Sequence, residues 1–147
     1  MKLTKALEDY LEEVHVLILA GRRARVRDVA SQLHVKMPSV VKAVAELKRM
    51  NLVSQEPYGD IELTPAGREV AGQVLGRHKI LRVFLQKLGV SDDVADRDAC
   101  TMEHILSAET MDRITEFLGE DAATVQTSTT EKERKAAVPP RRKAAKK

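Results

Sequence analysis

Apolar residues recur every three or four positions over residues 4–20, where Leu7, Leu11, Val14 and Ile18 line one side of an amphipathic helix. Thr4 stands where an N-cap is needed and Gly21 where the helix must stop. The stretch 26–33, with Val29 and Leu33 inward, predicts a short second helix. His34, Val35 and Lys36 form a tight turn, and Pro38 and Ser39 open a third helix, since proline is tolerated in a helix's first turn. Val40, Val44 and Leu47 are its buried stripe, which leaves Ser39, Val41, Lys42 and Ala43 outward. The pattern then changes to alternation. Leu52–Gln55 and Asp60–Leu63 read as strands around Pro57, Tyr58 and Gly59. Helix, short helix, turn, helix and hairpin in this order predict a winged helix-turn-helix.

Beyond it the pattern is helical throughout. Thr64 and Pro65 supply a cap and a first-turn proline for a helix running to Lys87, with Gly67, Gly72 and Gly76 marking close packing or a bend. Gly89 ends it, and Ser91 to Val94 predict a single turn. A helix starting at Asp98 carries Cys100 to Leu106, and a last one spans Ala108 to Leu118. The expected fold is mainly α. An N-terminal winged helix-turn-helix occupies residues 1–64, an all-helical domain residues 65–119, and a basic disordered tail residues 120–147.

Composition changes this picture in two places. Aromatic residues are only 3% of the 147, so aliphatic side chains must build the core. Charge is uneven: residues 131–147 hold eight of the 25 Lys/Arg and two of the 22 Asp/Glu, leaving a body of net −3 and a tail of net +6. Such a tail, with Pro139 and Pro140, suits nonspecific contact with nucleic acid or plain solubilisation. No apolar run reaches the roughly 18 residues of a membrane span. Met1-Lys2-Leu3-Thr4 leads straight into a charged amphipathic segment, unlike a secretory signal, and a lone cysteine cannot close an intrachain disulfide. A cytoplasmic protein is expected.

In a helix-turn-helix the second helix enters the major groove and its first residues meet base edges. Those residues are Lys36, Pro38, Ser39 and Lys42. Arg25, Arg27 and Lys48 are placed for backbone phosphates, and Tyr58 at the wing tip for phosphate or the minor groove. One such unit covers one half-site, so a dimer on a near-palindromic double-stranded operator is expected.

Three groups of ligand-type residues remain. Cys100, Glu103 and His104 fall at i, i+3 and i+4, a sector about 100° wide on a helix. Asp9 and Glu12 share one face of the first helix, and His78 lies in the fourth. Each alone is weak: acidic pairs on amphipathic helices are usually solvated, and a lone histidine is seldom a ligand. Together they carry a resemblance. Glu8-Asp9-Tyr10-Leu11-Glu12, the winged helix, Leu63-Thr64-x-x-Gly67, Arg77-His78 and Cys100-x-x-Glu103-His104 occur in one order. That order resembles the diphtheria toxin repressor and manganese-transport regulator family of metal-dependent repressors over about residues 4–118.

The resemblance implies a homodimer joined through the second half, a divalent metal between the first helix and that half, and metal-dependent operator binding. Asp9, Glu12, His78, Cys100, Glu103 and His104 would be the ligands. Asp9 matches the manganese branch, where the iron branch has Met. Cys100 matches the iron branch, where the manganese branch has Glu. Arg82 stands where both branches tend to carry a carboxylate, which argues against an ancillary iron-branch site. The SH3-like domain of longer iron-branch members is not expected. A thiolate with imidazoles favours softer ions and tilts the co-repressor toward Fe²⁺ over Mn²⁺, with Co²⁺, Ni²⁺ or Zn²⁺ as substitutes. The alternatives are a metal-independent winged-helix regulator and, from another class, a metalloenzyme. The second lacks a phosphate loop or a nucleophile-base pair beyond the ligands, so no enzymatic activity is expected.

Overall fold

The computed structural model describes residues 3–125. Its elements run α1 (Lys5–Leu19), α2 (Val26–Leu33), α3 (Met37–Arg49), β1 (Val53–Ser54), β2 (Glu62–Leu63), α4 (Pro65–Lys87), α5 (Asp92–Ile105) and α6 (Ala108–Leu118). The Thr4 hydroxyl caps α1 by accepting from Leu7 N at 3.3 Å, an interaction worth about 1 kcal/mol. His34 takes the left-handed conformation that ends α2 (φ 54°), and Val35 N donates to Ala30 O at 3.0 Å. This is the expected tight turn. Strands β1 and β2 pair antiparallel, Val53 with Leu63 and Ser54 with Glu62.

Two cores form. The first gathers Leu7, Leu11 and Val14 of α1, Val29 of α2, Val40, Val44 and Leu47 of α3, and Val53, Ile61 and Leu63 of the wing. Each such aliphatic side chain, fully buried, contributes roughly 1.5–3 kcal/mol of transfer free energy. The second core holds Ile80, Leu81 and Leu85 of α4, Ala95 and Ala99 of α5, and Met111 and Leu118 of α6. Helix α4 spans both, packing on α1, α5 and α6.

The joint between the halves explains the run Leu63-Thr64-x-x-Gly67. Thr64 Oγ1 donates to Asn51 O at 2.7 Å and accepts from Gly67 N at 3.0 Å, while Thr64 N donates to Leu52 O at 3.1 Å. A Cβ at residue 67 would lie 1.8 Å from the Leu52 carbonyl oxygen, so only glycine lets α4 start against that backbone.

The structure departs from the sequence expectations in four places. The turn at 91–94 and the helix from Asp98 are one continuous helix, α5. Its N-terminal half showed no apolar stripe because the residues that pack on α4 are the small Ala95 and Ala99. The strands are two residues each rather than four, because the tip tightens around Gly59 N donating to Glu56 O at 2.8 Å. Ala43 is buried in the first core, not outward. Residues 120–125 continue helical past Gly119, with Ala122 buried in the second core, so the body extends beyond residue 119. The Lys/Arg-rich segment 131–147 lies outside the described residues.

Candidate metal centre and DNA-reading surface

Helices α1, α4 and α5 meet where the two halves join, and all six candidate ligands project into that junction. Asp9 and Glu12 come from α1, His78 from α4, and Cys100, Glu103 and His104 from α5. Their donor atoms gather in two groups that share Glu103: Asp9, Cys100 and Glu103, and Glu12, His78 and Glu103, the atoms of each within 4.8 Å of one another. His104 adjoins the first group, its Nε2 2.7 Å from Asp9 Oδ1 and 3.2 Å from Glu103 Oε1.

Glu103 is the centre of the arrangement. It is fully buried, and neither carboxylate oxygen meets a donor in hydrogen-bond geometry. His78 Nδ1 lies 3.0 Å from Glu103 Oε2, an ion-pair distance, but the ring does not direct a hydrogen bond along it. An uncompensated buried carboxylate costs several kcal/mol. The surrounding groups respond by holding protons. Burial pushes Glu12 up to about 8, reinforced by Glu103. Contact with Glu103 pushes His78 up to about 9, helped by Asp96 and opposed by burial. Burial, with Glu103, Asp9 and Glu12, pushes the Cys100 thiol up to about 11. One carboxyl (Glu12), one imidazole (His78) and one thiol (Cys100) that retain protons around an orphaned carboxylate match the donor set of a divalent transition metal, whose binding displaces such protons.

Three further residues bear on the site that the sequence reading gave no role. Glu8 Oε2 lies 2.5 Å from His104 Nδ1, and Arg77 reaches Glu8 Oε1 at 3.8 Å. Asp96 Oδ1 lies 2.9 Å from His78 Nε2. The available signals were spacing: Glu8 is four residues before Glu12, and Asp96 four before Cys100, each one turn away on the same face.

The DNA-reading candidates are carried by α2, α3, the residues flanking them and the wing. Lys36, Pro38, Ser39 and Lys42 are exposed at the start of α3, as are Arg27, Lys48 and Tyr58. Lys48 Nζ donates to Gln55 O at 3.2 Å, tying α3 to the wing. Arg25 is half-buried and lies 3.7 Å from Asp60 Oδ1, and Arg23 bonds the same carboxylate at 2.6 Å. Arg25 therefore also braces the base of the wing.

A winged helix whose first helix helps close a carboxylate, imidazole and thiol cluster defines a class: the metal-dependent DNA-binding transcriptional regulator. The comparisons agree. The family described as "Iron dependent repressor, N-terminal DNA binding domain" matches residues 2–61, and "Iron dependent repressor, metal binding and dimerisation domain" matches residues 64–124. The chain belongs to this family of iron-dependent repressors. It is 39% identical over 111 residues to the HTH-type transcriptional regulator MntR of Geobacillus kaustophilus, covering 76% of this chain and 79% of that one. Among solved structures, IdeR of T. acidophilum superposes with a TM-score of 0.70 at 28% identity, covering 81% of this chain. The manganese regulator SloR superposes with a TM-score of 0.68 at 27% identity, covering 80% of this chain. The chain spans about half the length of those two solved chains, 55% and 54%. The protein is thus a non-enzymatic regulator with DNA as its partner and a dimerisation domain that makes it a homodimer.

Proposed function

We propose that this chain is a repressor of metal-ion homeostasis genes, switched on for a near-palindromic operator by Fe²⁺ or Mn²⁺ held at Asp9, Glu12, His78, Cys100, Glu103 and His104. The observation that carries the reading is Glu103: fully buried, without a hydrogen-bond donor, and ringed by the other ligand-type groups. The names of the relatives support both metals, manganese for the regulator SloR and iron for the matched family. Cys100 favours the softer ion and Asp9, Glu12 and Glu103 the harder one. The domains assigned are residues 1–64 for DNA binding and, past the expected boundary at 119, residues 65 to about 125 for metal binding and dimerisation. Lys36, Pro38, Ser39 and Lys42 read bases, Arg25, Arg27 and Lys48 hold phosphates, and Tyr58 reaches from the wing. The exposed Leu88 and Phe117, at 62% and 73%, provide apolar surface for the second subunit. The basic tail adds nonspecific DNA contacts, and the protein acts in the cytoplasm.

The mechanism follows from where the ligands sit. Asp9 and Glu12 belong to the DNA-binding half, Glu103 and His104 to the other, so their mutual charge governs the junction. Ionised together, Asp9, Glu12 and Glu103 repel and loosen α1 from α5. A divalent cation held by Asp9, Glu12, Glu103 and their neighbours would supply the positive charge that lets these groups stay ionised side by side. Asp9 and Glu12 then hold α1, and with it α3, at a fixed angle to the dimer axis. The paired recognition helices keep the spacing of successive major grooves, about 34 Å. Operator affinity measured over a titration of Mn²⁺ and of Fe²⁺ under anaerobic conditions tests this reading.

A further inference from the structure

Both histidines of the cluster touch a carboxylate that lies outside the set of six ligands, and they do so through opposite ring nitrogens. His104 meets Glu8 through Nδ1, and His78 meets Asp96 through Nε2. A neutral imidazole has one N–H and one lone pair, and the partner of the N–H decides which nitrogen can bind metal.

For His78 the geometry leaves a single choice. Nε2 lies 2.9 Å from Asp96 Oδ1, a carboxylate outside the six ligands. Nδ1 is buried, has no hydrogen-bond partner, and faces Glu103 Oε2 at 3.0 Å in the group it forms with Glu12. We propose that Asp96 is a positioning residue: it holds the Nε2 proton of His78 and so assigns Nδ1 as the metal-binding atom. This rests on the metal reading above and adds to it a residue from outside the six ligands. Asp96 reaches His78 from the first half of α5, one turn before Cys100. The same helix therefore carries three ligands and the group that orients a fourth. Carboxylates in this relation to a ligating imidazole raise its basicity and fix its ring, and their loss typically costs about 10–100-fold in metal affinity.

Asp96 suits a clean test because its side chain is 57% exposed, so Asp96→Ala removes no core packing. The full-length chain, labelled with ¹⁵N at histidine and loaded with ¹¹³Cd²⁺, would be observed by NMR. In the unsubstituted protein ¹¹³Cd should couple to Nδ1 of His78, and the Nε2 proton should exchange slowly. Asp96→Ala should bind Cd²⁺ about 10–100-fold more weakly and lose the slow Nε2 proton. Asp96→Asn, which keeps an accepting oxygen, should restore most of the affinity. Coupling to Nε2 of His78, or an Asp96→Ala variant that binds Cd²⁺ as tightly as the parent, would overturn the assignment while leaving the metal reading intact. Failure of the parent chain to bind Cd²⁺ would overturn both.

Discussion

His104 Nε2 lies 2.7 Å from Asp9 Oδ1, joining the dimerisation half to the DNA-binding half across 95 residues of sequence. The His104 side chain is almost wholly buried, and its Nδ1 meets Glu8, also on α1. One imidazole on α5 therefore grips two consecutive acids of the helix that underlies the DNA reader.

Replacing His104 should uncouple the two halves without undoing either core. His104→Ala is expected to lose metal affinity by more than the roughly 10–100-fold that an outer partner costs. The dimer should persist, since Met111 and Leu118 of the second core do not depend on the junction. Metal titration and sedimentation equilibrium check the two halves of this statement. A variant that still responds normally to metal would place the site elsewhere.

The contact between Gly67 and the Leu52 carbonyl makes a prediction about stability alone. Gly67→Ala puts a methyl 1.8 Å from a backbone oxygen that a two-residue strand and the Thr64 bonds hold in place. Overpacking against backbone should cost about 3 kcal/mol, the upper end of the usual range. Urea denaturation measures it, and an unchanged midpoint would mean that the start of α4 can move.

Glu12 and His78 give the metal-free protein a pH dependence of one sign. Both are raised on folding, Glu12 from 4.5 to about 8 and His78 from 6.5 to about 9. Such groups contribute stability that is full below their unfolded values and lost as pH climbs through the folded ones. Stability of the metal-free chain should therefore fall from about pH 4.5 to about pH 9, and Glu12→Gln should flatten the fall. Metal affinity should move the other way over the same range, because Glu12, His78 and Cys100 must release protons to bind. Calorimetry in buffers of different ionisation enthalpy counts those protons.

Lys42 tests the DNA reader separately from the metal centre. Lys42→Ala removes an exposed cation from α3 and should weaken operator binding by roughly 1–3 kcal/mol. Metal affinity of the free protein should not change, because α3 contributes no ligand. Undiminished operator binding would mean that α3 is not the reading helix.

How much could be read from sequence depended on side-chain size and on range. Helices α1 to α3 were legible because Leu11, Val14, Val29, Val40 and Leu47 are bulky and periodic, and the hydrophobic effect makes such stripes unambiguous. The first half of α5 was not, because Ala95 and Ala99 bury little area and sit among aspartates. The six candidate ligands were visible as residue types at helical spacing, and the fold brings them together. Glu8 and Asp96 were not singled out, since an acid on a polar helix face looks like any solvated acid. What distinguishes them are the imidazoles of His104 and His78, which lie 96 and 18 residues away in sequence.

The most direct test of the account is the operator affinity of the same preparation with metal removed and with Mn²⁺ or Fe²⁺ restored, at constant salt and without oxygen. Linkage between the two sites predicts tighter binding with metal by about 1–3 kcal/mol or more, at least five- to 150-fold, and an equal gain in metal affinity when operator is present. Equal operator affinity in both states would contradict it.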